Sequence, residues 1–183
     1  MPLPEPPPRL EIHQRTIEMR AFARDDGLYD IEGRVRDSKP FDFVRPSLPG
    51  RTVPAGSALH DLWVRLTLDA DYIVRDITAS SDTTPWALCK EAESTLKVLI
   101  GAKVGPGWSS LVKARLRGAA SCTHLMEMLM PLATAAHQAM RAVLQPVPEL
   151  APQVDTCYAF SQEREVVQRL WPMLHGLPPA TST

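Results

Sequence analysis

Hydrophobic and polar residues alternate along four stretches in the first half of the chain. These stretches are residues 14–23, 28–36, 59–69 and 72–79. Alternation with a period of two is typical of a β-strand that buries one face and leaves the other in solvent. Asp26-Gly27 follows the first stretch and favours a hairpin turn, because glycine accepts a positive φ. The pattern therefore predicts two antiparallel hairpins.

Turn-forming residues interrupt the chain between these hairpins. Positions 37–57 contain four prolines and two glycines. Proline cannot donate a backbone hydrogen bond, and glycine favours turns, so this spacing predicts a long loop without regular structure. Long ordered loops often have a function.

In the second half, apolar residues recur every three or four positions, as they do along one side of an α-helix. The spacing predicts helices at about 85–100, 109–117 and 122–144, an edge strand at 156–160 and a last helix after Ser161. Pro131 predicts a kink or a restart of the third helix. The buried stripe of that helix should comprise Leu125, Met128, Leu129, Leu132, Ala136 and Met140.

Strands followed by helices predict the α+β class, with helices on one face of an antiparallel sheet of two hairpins and four to five strands. The length of 183 residues and the hydrophobic content of 44% suit one domain, which we expect at residues 9–175. The proline-rich residues 1–8 and residues 176–183 are predicted to be disordered tails.

Composition excludes several classes of function. The net charge is -1 and no basic run is present, so we expect no nucleic-acid partner. The sequence contains neither a long apolar span nor a signal-peptide pattern, which predicts a cytoplasmic protein without a membrane partner. Three widely spaced cysteines predict reduced thiols rather than a disulfide framework.

Four residues are the candidates for chemistry. His60 and Asp61 begin the third predicted strand, and Cys122 and His124 begin the long helix. Their side chains are of the types that hold zinc or iron, and they could equally serve as catalytic acid, base or nucleophile. They could also be structural residues without chemistry. We predict that the strand start and the helix start meet at one edge of the sheet.

Charged residues of the first hairpin and its neighbour are a second candidate site. Arg24, Asp25 and Asp26 crowd a turn, and Arg65 is on a neighbouring strand. Arginine binds carboxylates in bidentate fashion, so these residues could bind a substrate. The alternative is a solvated ladder of ion pairs that needs no ligand.

Several motifs together resemble a bacterial family named as domain of unknown function 2889. The motifs are His13-x-Arg15, the run from Arg24-Asp25-Asp26-Gly27 to Glu32-Gly33, His60-Asp61-x-Trp63-x-Arg65, Gly107-Trp108 and Cys122-Thr123-His124-Leu125. Some bacteria that contain this family degrade aromatic compounds. The resemblance therefore implies a small aromatic or acyl substrate.

Residues 59–145 also resemble iron–sulfur cluster scaffold proteins of the NifU and IscU type in the order of their elements. Asp61 and Cys122 stand where scaffold ligands stand. Leu59 occupies the place of a ligand cysteine, and residues 81–84 lack another. The resemblance therefore implies an IscU/SufE-like fold for the second half, without cluster assembly.

The residues thus predict a pocket for a small-molecule ligand in an enzyme that uses His/Asp acid–base or metal chemistry, and the family resemblance implies that this enzyme acts in aromatic or acyl catabolism. The alternatives are a zinc- or iron-binding protein without catalysis and a protein interaction module. A homo-oligomer is compatible with all three.

Overall fold

A computed structural model of the chain describes residues 3–45, 50–144 and 154–176. The chain divides into two compact units, Met1–Leu144 and Gln145–Thr183. All strands of the described residues and the candidate site lie in the first unit. The domain predicted at 9–175 stays a prediction, and residues 1–2 and 177–183 of the two predicted tails lie outside the described residues.

Two antiparallel sheets account for the strands. They are built from β1 (Gln14–Ala23), β2 (Tyr29–Ser38), β3 (Phe43–Val44), β4 (Thr52–Val53), β5 (Ala58–Leu68) and β6 (Val74–Thr83). The main sheet has the order β1-β2-β5-β6, which confirms the two predicted hairpins. The prediction of a loop without regular structure is wrong, because β3 and β4 pair through Phe43 with Val53 and Val44 with Thr52.

The helices are α1 (Trp108–Leu116), α2 (Thr123–Leu144) and α3 (Glu165–Leu170), with a 3-10 helix at Ala87–Leu99. Shorter 3-10 helices lie at Gly118–Ala120, Tyr158–Phe160 and Pro172–Leu174. The α+β class is confirmed, whereas the predicted edge strand at 156–160 is wrong. Phe160 N–H instead donates to the Cys157 carbonyl at 3.0 Å, which closes a tight turn.

The long helix runs through Pro131 as one helix, so the predicted restart does not occur, and the predicted kink stays a prediction. The missing proline N–H removes one hydrogen bond, but apolar residues on both sides of Pro131 are buried on the same stripe and keep the helix in place. All six residues of the predicted stripe are buried. Helix α2 contacts β1, β2 and β5, so it covers one face of the main sheet.

Strand alternation decides which residues face the helices. Val35 of β2 and Leu62 of β5 are buried in the core, and Asp37 and His60 lie on the same face two residues away. Strand β1, at the sheet edge, is more exposed than its alternation predicts, since Ile17 is 50% exposed. The inward face therefore ends in a polar corner beside the start of α2.

Candidate functional site

The carboxylate of Asp37 lies at the centre of this corner. Asp37 lies near the end of β2, and only 1% of its side chain is exposed. Arg15, its register partner on β1, donates from Nε to Oδ1 at 2.7 Å and from Nη2 to Oδ2 at 2.8 Å. His13 Nε2 lies 3.3 Å from Oδ1.

Asp37 is ionised at neutral pH. Burial alone would raise the pKa of Asp37, but the hydrogen bonds and charge of Arg15 lower it from 3.8 to about 2. Arg15 thus fixes both the orientation and the charge of a carboxylate that water scarcely reaches.

His60 lies opposite Asp37 on β5. Its Nδ1 is 3.0 Å from Asp37 Oδ2, while burial and the neighbouring His124 lower the pKa of His60 below its ordinary value of 6.5. The ionised carboxylate favours the tautomer in which Nδ1 bears the hydrogen and donates it to Asp37. In that tautomer Nε2 has a free electron pair, which can accept a proton or bind a metal.

His124 lies against His60 at the first turn of α2. The ring centres are 4.0 Å apart and the planes are inclined by 34°. His124 Nε2 is 3.9 Å from Asp37 Oδ2, and its Nδ1 is 3.9 Å from Cys122 Sγ. The structure therefore brings His60, His124 and Cys122 together, as the sequence predicted for the two element starts.

Cys122 immediately precedes α2, where backbone N–H groups point out of the helix. Burial would raise the pKa of the Cys122 thiol, but hydrogen bonds from the His124 side chain and from the N–H groups of Leu125 and His124 outweigh it. The pKa of Cys122 therefore lies below its ordinary value. This thiol is more readily ionised than an ordinary buried cysteine.

A cleft of about 720 Å³ opens beside these side chains. His60, Cys122 and His124 line it at one side. Most of its remaining wall is apolar and includes Leu62, Trp86, Leu88, Ala92, Ala119 and Ala120. Leu88 is 70% exposed, so the cleft has an apolar rim in contact with solvent.

Asp61 is not part of this cluster. Consecutive strand residues point to opposite faces, so Asp61 lies on the face of the sheet away from α2. There it accepts hydrogen bonds from Arg34 Nε at 2.7 Å and Nη2 at 2.6 Å. Asp61 follows His60 in the sequence but is not its carboxylate partner. The carboxylate that contacts the His60 imidazole is that of Asp37.

The charged residues of the first hairpin also lie away from the cleft. Arg24 donates to Asp26 Oδ2 at 2.6 Å in the turn between β1 and β2, where both side chains are exposed. Asp25 is exposed in the same turn, and Arg65 pairs with Glu32. These contacts match the ladder alternative, and the role of the four residues in substrate binding stays a prediction.

Sequence reasoning missed Asp37 and its partner Arg15. A signal was present, because Asp37 is two residues from Val35 and Arg15 is two residues from Ile17, so each lies on the same face of its strand as that apolar residue. A charged residue at an inward position requires a partner. Two such positions on adjacent strands indicate a buried ion pair.

Asp37, His60 and His124 are the described residues that could together hold a metal, because one ligand atom from each lies within 4.8 Å of the others. Zinc holds nitrogen and oxygen ligands at about 2.0–2.1 Å. Arg15, however, already donates to both oxygens of Asp37. A cation bound by Asp37 would lie beside the guanidinium, so the charges favour proton transfer over metal binding.

The fold and the site define an α+β protein with a His–Asp cluster beside an apolar cleft. The chain belongs to the family described as protein of unknown function (DUF2889), whose model matches residues 13–138. All residues of the cluster lie within that span. Neither a curated protein nor a solved structure matches the chain, so the scaffold resemblance stays a prediction.

The described helices give one further finding. None of those in residues 3–45, 50–144 and 154–176 is apolar over a length sufficient to cross a membrane.

Proposed function

We propose that the protein is an enzyme that binds a small, largely apolar molecule in the cleft and uses His60 as its acid–base catalyst. The observation that supports this is the 3.0 Å contact between His60 Nδ1 and Asp37 Oδ2. Two hydrogen bonds from Arg15 hold the Asp37 carboxylate in place. The apolar walls suit an aromatic or acyl group of the substrate.

The contacts of His60 suit a base that is neutral before the reaction. His60 accepts a proton at Nε2, and the imidazolium that forms is stabilised by Asp37 through Nδ1–H. Arg15 keeps the pKa of Asp37 far below that of an imidazole, so the carboxylate does not take the proton itself. The adjacent ring of His124 disfavours a second positive charge, so the pair accepts one proton at a time.

The experiment is a turnover assay with a panel of small aromatic and aliphatic esters and thioesters. We expect the variant His60→Gln to lower kcat by about 100-fold or more, because general-base catalysis contributes on that order. The control is His137→Gln, since His137 stacks on Tyr72 with ring centres 4.7 Å apart and does not line the cleft. Undiminished turnover in His60→Gln would contradict the proposal.

A second candidate is a metal centre without catalysis, because the ligand atoms of Asp37, His60 and His124 lie within 4.8 Å. Metal analysis of the purified protein separates the two functions. One equivalent of zinc or iron, lost in both His60→Gln and His124→Gln, would support the metal centre. A metal-free protein with turnover would support the acid–base enzyme.

A further inference from the structure

We propose that Cys122 is the nucleophile of this site and accepts the acyl group of a thioester of a small aromatic or aliphatic acid. The inference rests on the proposed function, since it assigns the substrate class of the same cleft. It adds a covalent intermediate and gives the two histidines separate tasks.

The surroundings of Cys122 are those of a reactive thiol. Its Sγ lies 3.9 Å from His124 Nδ1, it immediately precedes the first residue of α2, and it lines the cleft together with His60. Nucleophilic cysteines commonly combine a neighbouring imidazole with a helix start. Cys89 lines the same cleft, but no contact of its thiol with a histidine is found among the described residues. The reactivity of Cys89 can therefore be compared with that of Cys122 in the same protein.

The cleft wall indicates an uncharged acyl group. Among the described residues that line it, Glu91 is the one aspartate, glutamate, lysine or arginine. No lysine or arginine is therefore present in the wall to bind a free carboxylate, whereas a neutral acyl chain or aromatic ring fits the leucine, tryptophan and alanine side chains. A thioester presents such a group with a carbonyl carbon that a thiolate attacks readily.

In the first step His124 takes the proton of Cys122, and Sγ attacks the thioester carbonyl carbon. A new bond forms between that carbon and Sγ, the bond to the sulfur of the substrate breaks, and the departing thiolate takes the proton from His124. The products are acyl-Cys122 and a free thiol.

In the second step water attacks the carbonyl carbon of acyl-Cys122 while His60 Nε2 takes one of its protons. The bond between carbon and Sγ breaks, the Cys122 thiolate leaves with the electron pair, and the His60 imidazolium returns the proton. The net reaction converts a thioester and water into a carboxylic acid and a thiol. No metal or redox partner is required.

The experiment uses the full chain with the benzoyl and hexanoyl thioesters of N-acetylcysteamine. Intact mass and peptide mapping locate the acyl group, and a thiol reagent measures the released thiol. We expect hydroxylamine-sensitive acylation of Cys122 at least 10-fold faster than that of Cys89 or Cys157. Cys122→Ala should lose acylation and turnover, and Cys157→Ser, altered at an exposed position of the other unit, should retain both.

Two variants separate the steps. We expect His124→Gln to slow acylation by about 10-fold or more, and His60→Gln to leave acylation rapid while acyl-Cys122 accumulates. Circular dichroism and thermal unfolding of each variant identify those that fail to fold. If Cys122→Ala unfolds, the ratio of Cys122 to Cys89 acylation in the wild-type chain still tests the inference.

The outcomes distinguish the two proposals. Turnover that persists in Cys122→Ala but is lost in His60→Gln overturns the nucleophile and leaves the acid–base function intact. Acyl-Cys122 that hydrolyses at the wild-type rate in His60→Gln supports the nucleophile and overturns the role of His60. Acylation of Cys89 as fast as Cys122, or of neither, overturns the inference.

Discussion

Asp37 and Asp61 each accept two hydrogen bonds from one arginine, but on opposite faces of the same sheet. Asp37 lies on the face covered by α2, where 1% of its side chain is exposed, and Asp61 is 13% exposed on the other face. Both carboxylates have an arginine partner, but Asp37 is more buried and also contacts His60 and His13. The comparison therefore measures what burial and the histidine contacts of Asp37 add together.

We expect Asp37→Asn to lower the free energy of unfolding by about 2–3 kcal/mol, because Arg15 loses its ionised partner next to the core. Asp61→Asn should cost about 1 kcal/mol or less, since its ion pair with Arg34 has more access to water. Urea denaturation at neutral pH measures both values. Equal losses in the two variants would show that burial and the histidine contacts of Asp37 add no stability.

The acid stability of the protein should depend on Asp37. Its folded pKa of about 2 lies below the ordinary value of 3.8, so its contribution to stability is fully present above about pH 5 and is lost as the pH falls towards 2. The shift corresponds to about 2 kcal/mol. The stability difference between wild type and Asp37→Asn should therefore shrink between about pH 5 and pH 2. A difference that is constant over this range would contradict the shift.

Gly33 allows α2 to approach β2 closely. A Cβ at this position would lie 2.8 Å from both Met128 Cε and Met19 Sδ. Because both atoms lie at or next to the end of a flexible side chain, Gly33→Ala should cost about 1 kcal/mol, whereas the larger Gly33→Val should cost about 2–3 kcal/mol.

Gly105→Ala is the control for Gly33, because a Cβ there meets no atom within 4 Å. Its effect should lie within about 0.5 kcal/mol. Thermal or urea unfolding measures all three variants. A Gly33→Val protein as stable as wild type would mean that the helix does not approach the strand this closely.

The rim of the cleft should affect binding more than stability. Leu88 is 70% exposed, so Leu88→Ser should change the free energy of unfolding by less than about 0.5 kcal/mol. The loss of its apolar contact should weaken binding of an aromatic or acyl ligand by about 3- to 10-fold. Isothermal titration measures the affinity. Val98→Ser is the control, since Val98 is 48% exposed and lies outside the cleft.

Most of the fold could be predicted because each element has a local pattern. Strand β1 begins and ends where the alternation does, and α2 buries all six residues of its predicted stripe. The errors occurred where packing outweighs local preference or where a strand is too short to show a period. Helix α2 does not restart at Pro131 because burial on both sides holds it together, and β3 and β4 pair over only two residues each.

The candidate site was predicted in part. His60, Cys122 and His124 could be identified by residue type and by their position at the starts of elements, and their meeting follows from packing α2 on the sheet. The carboxylate was assigned to Asp61 because it is adjacent to His60 in the sequence. Adjacency in a strand places two side chains on opposite faces, so the imidazole takes its partner from the neighbouring strand.

The sequence by itself determined the α+β class, the buried stripe of α2 and three of the residues able to do chemistry, His60, Cys122 and His124, because periodicity and residue type are local properties. Tertiary structure alone decided that Asp37 orients His60, that Arg15 keeps Asp37 ionised and that an apolar cleft adjoins them. These relationships depend on the strand register and on the seating of a helix on a sheet. Both are set by the packing of the whole unit, which no single stretch of sequence encodes.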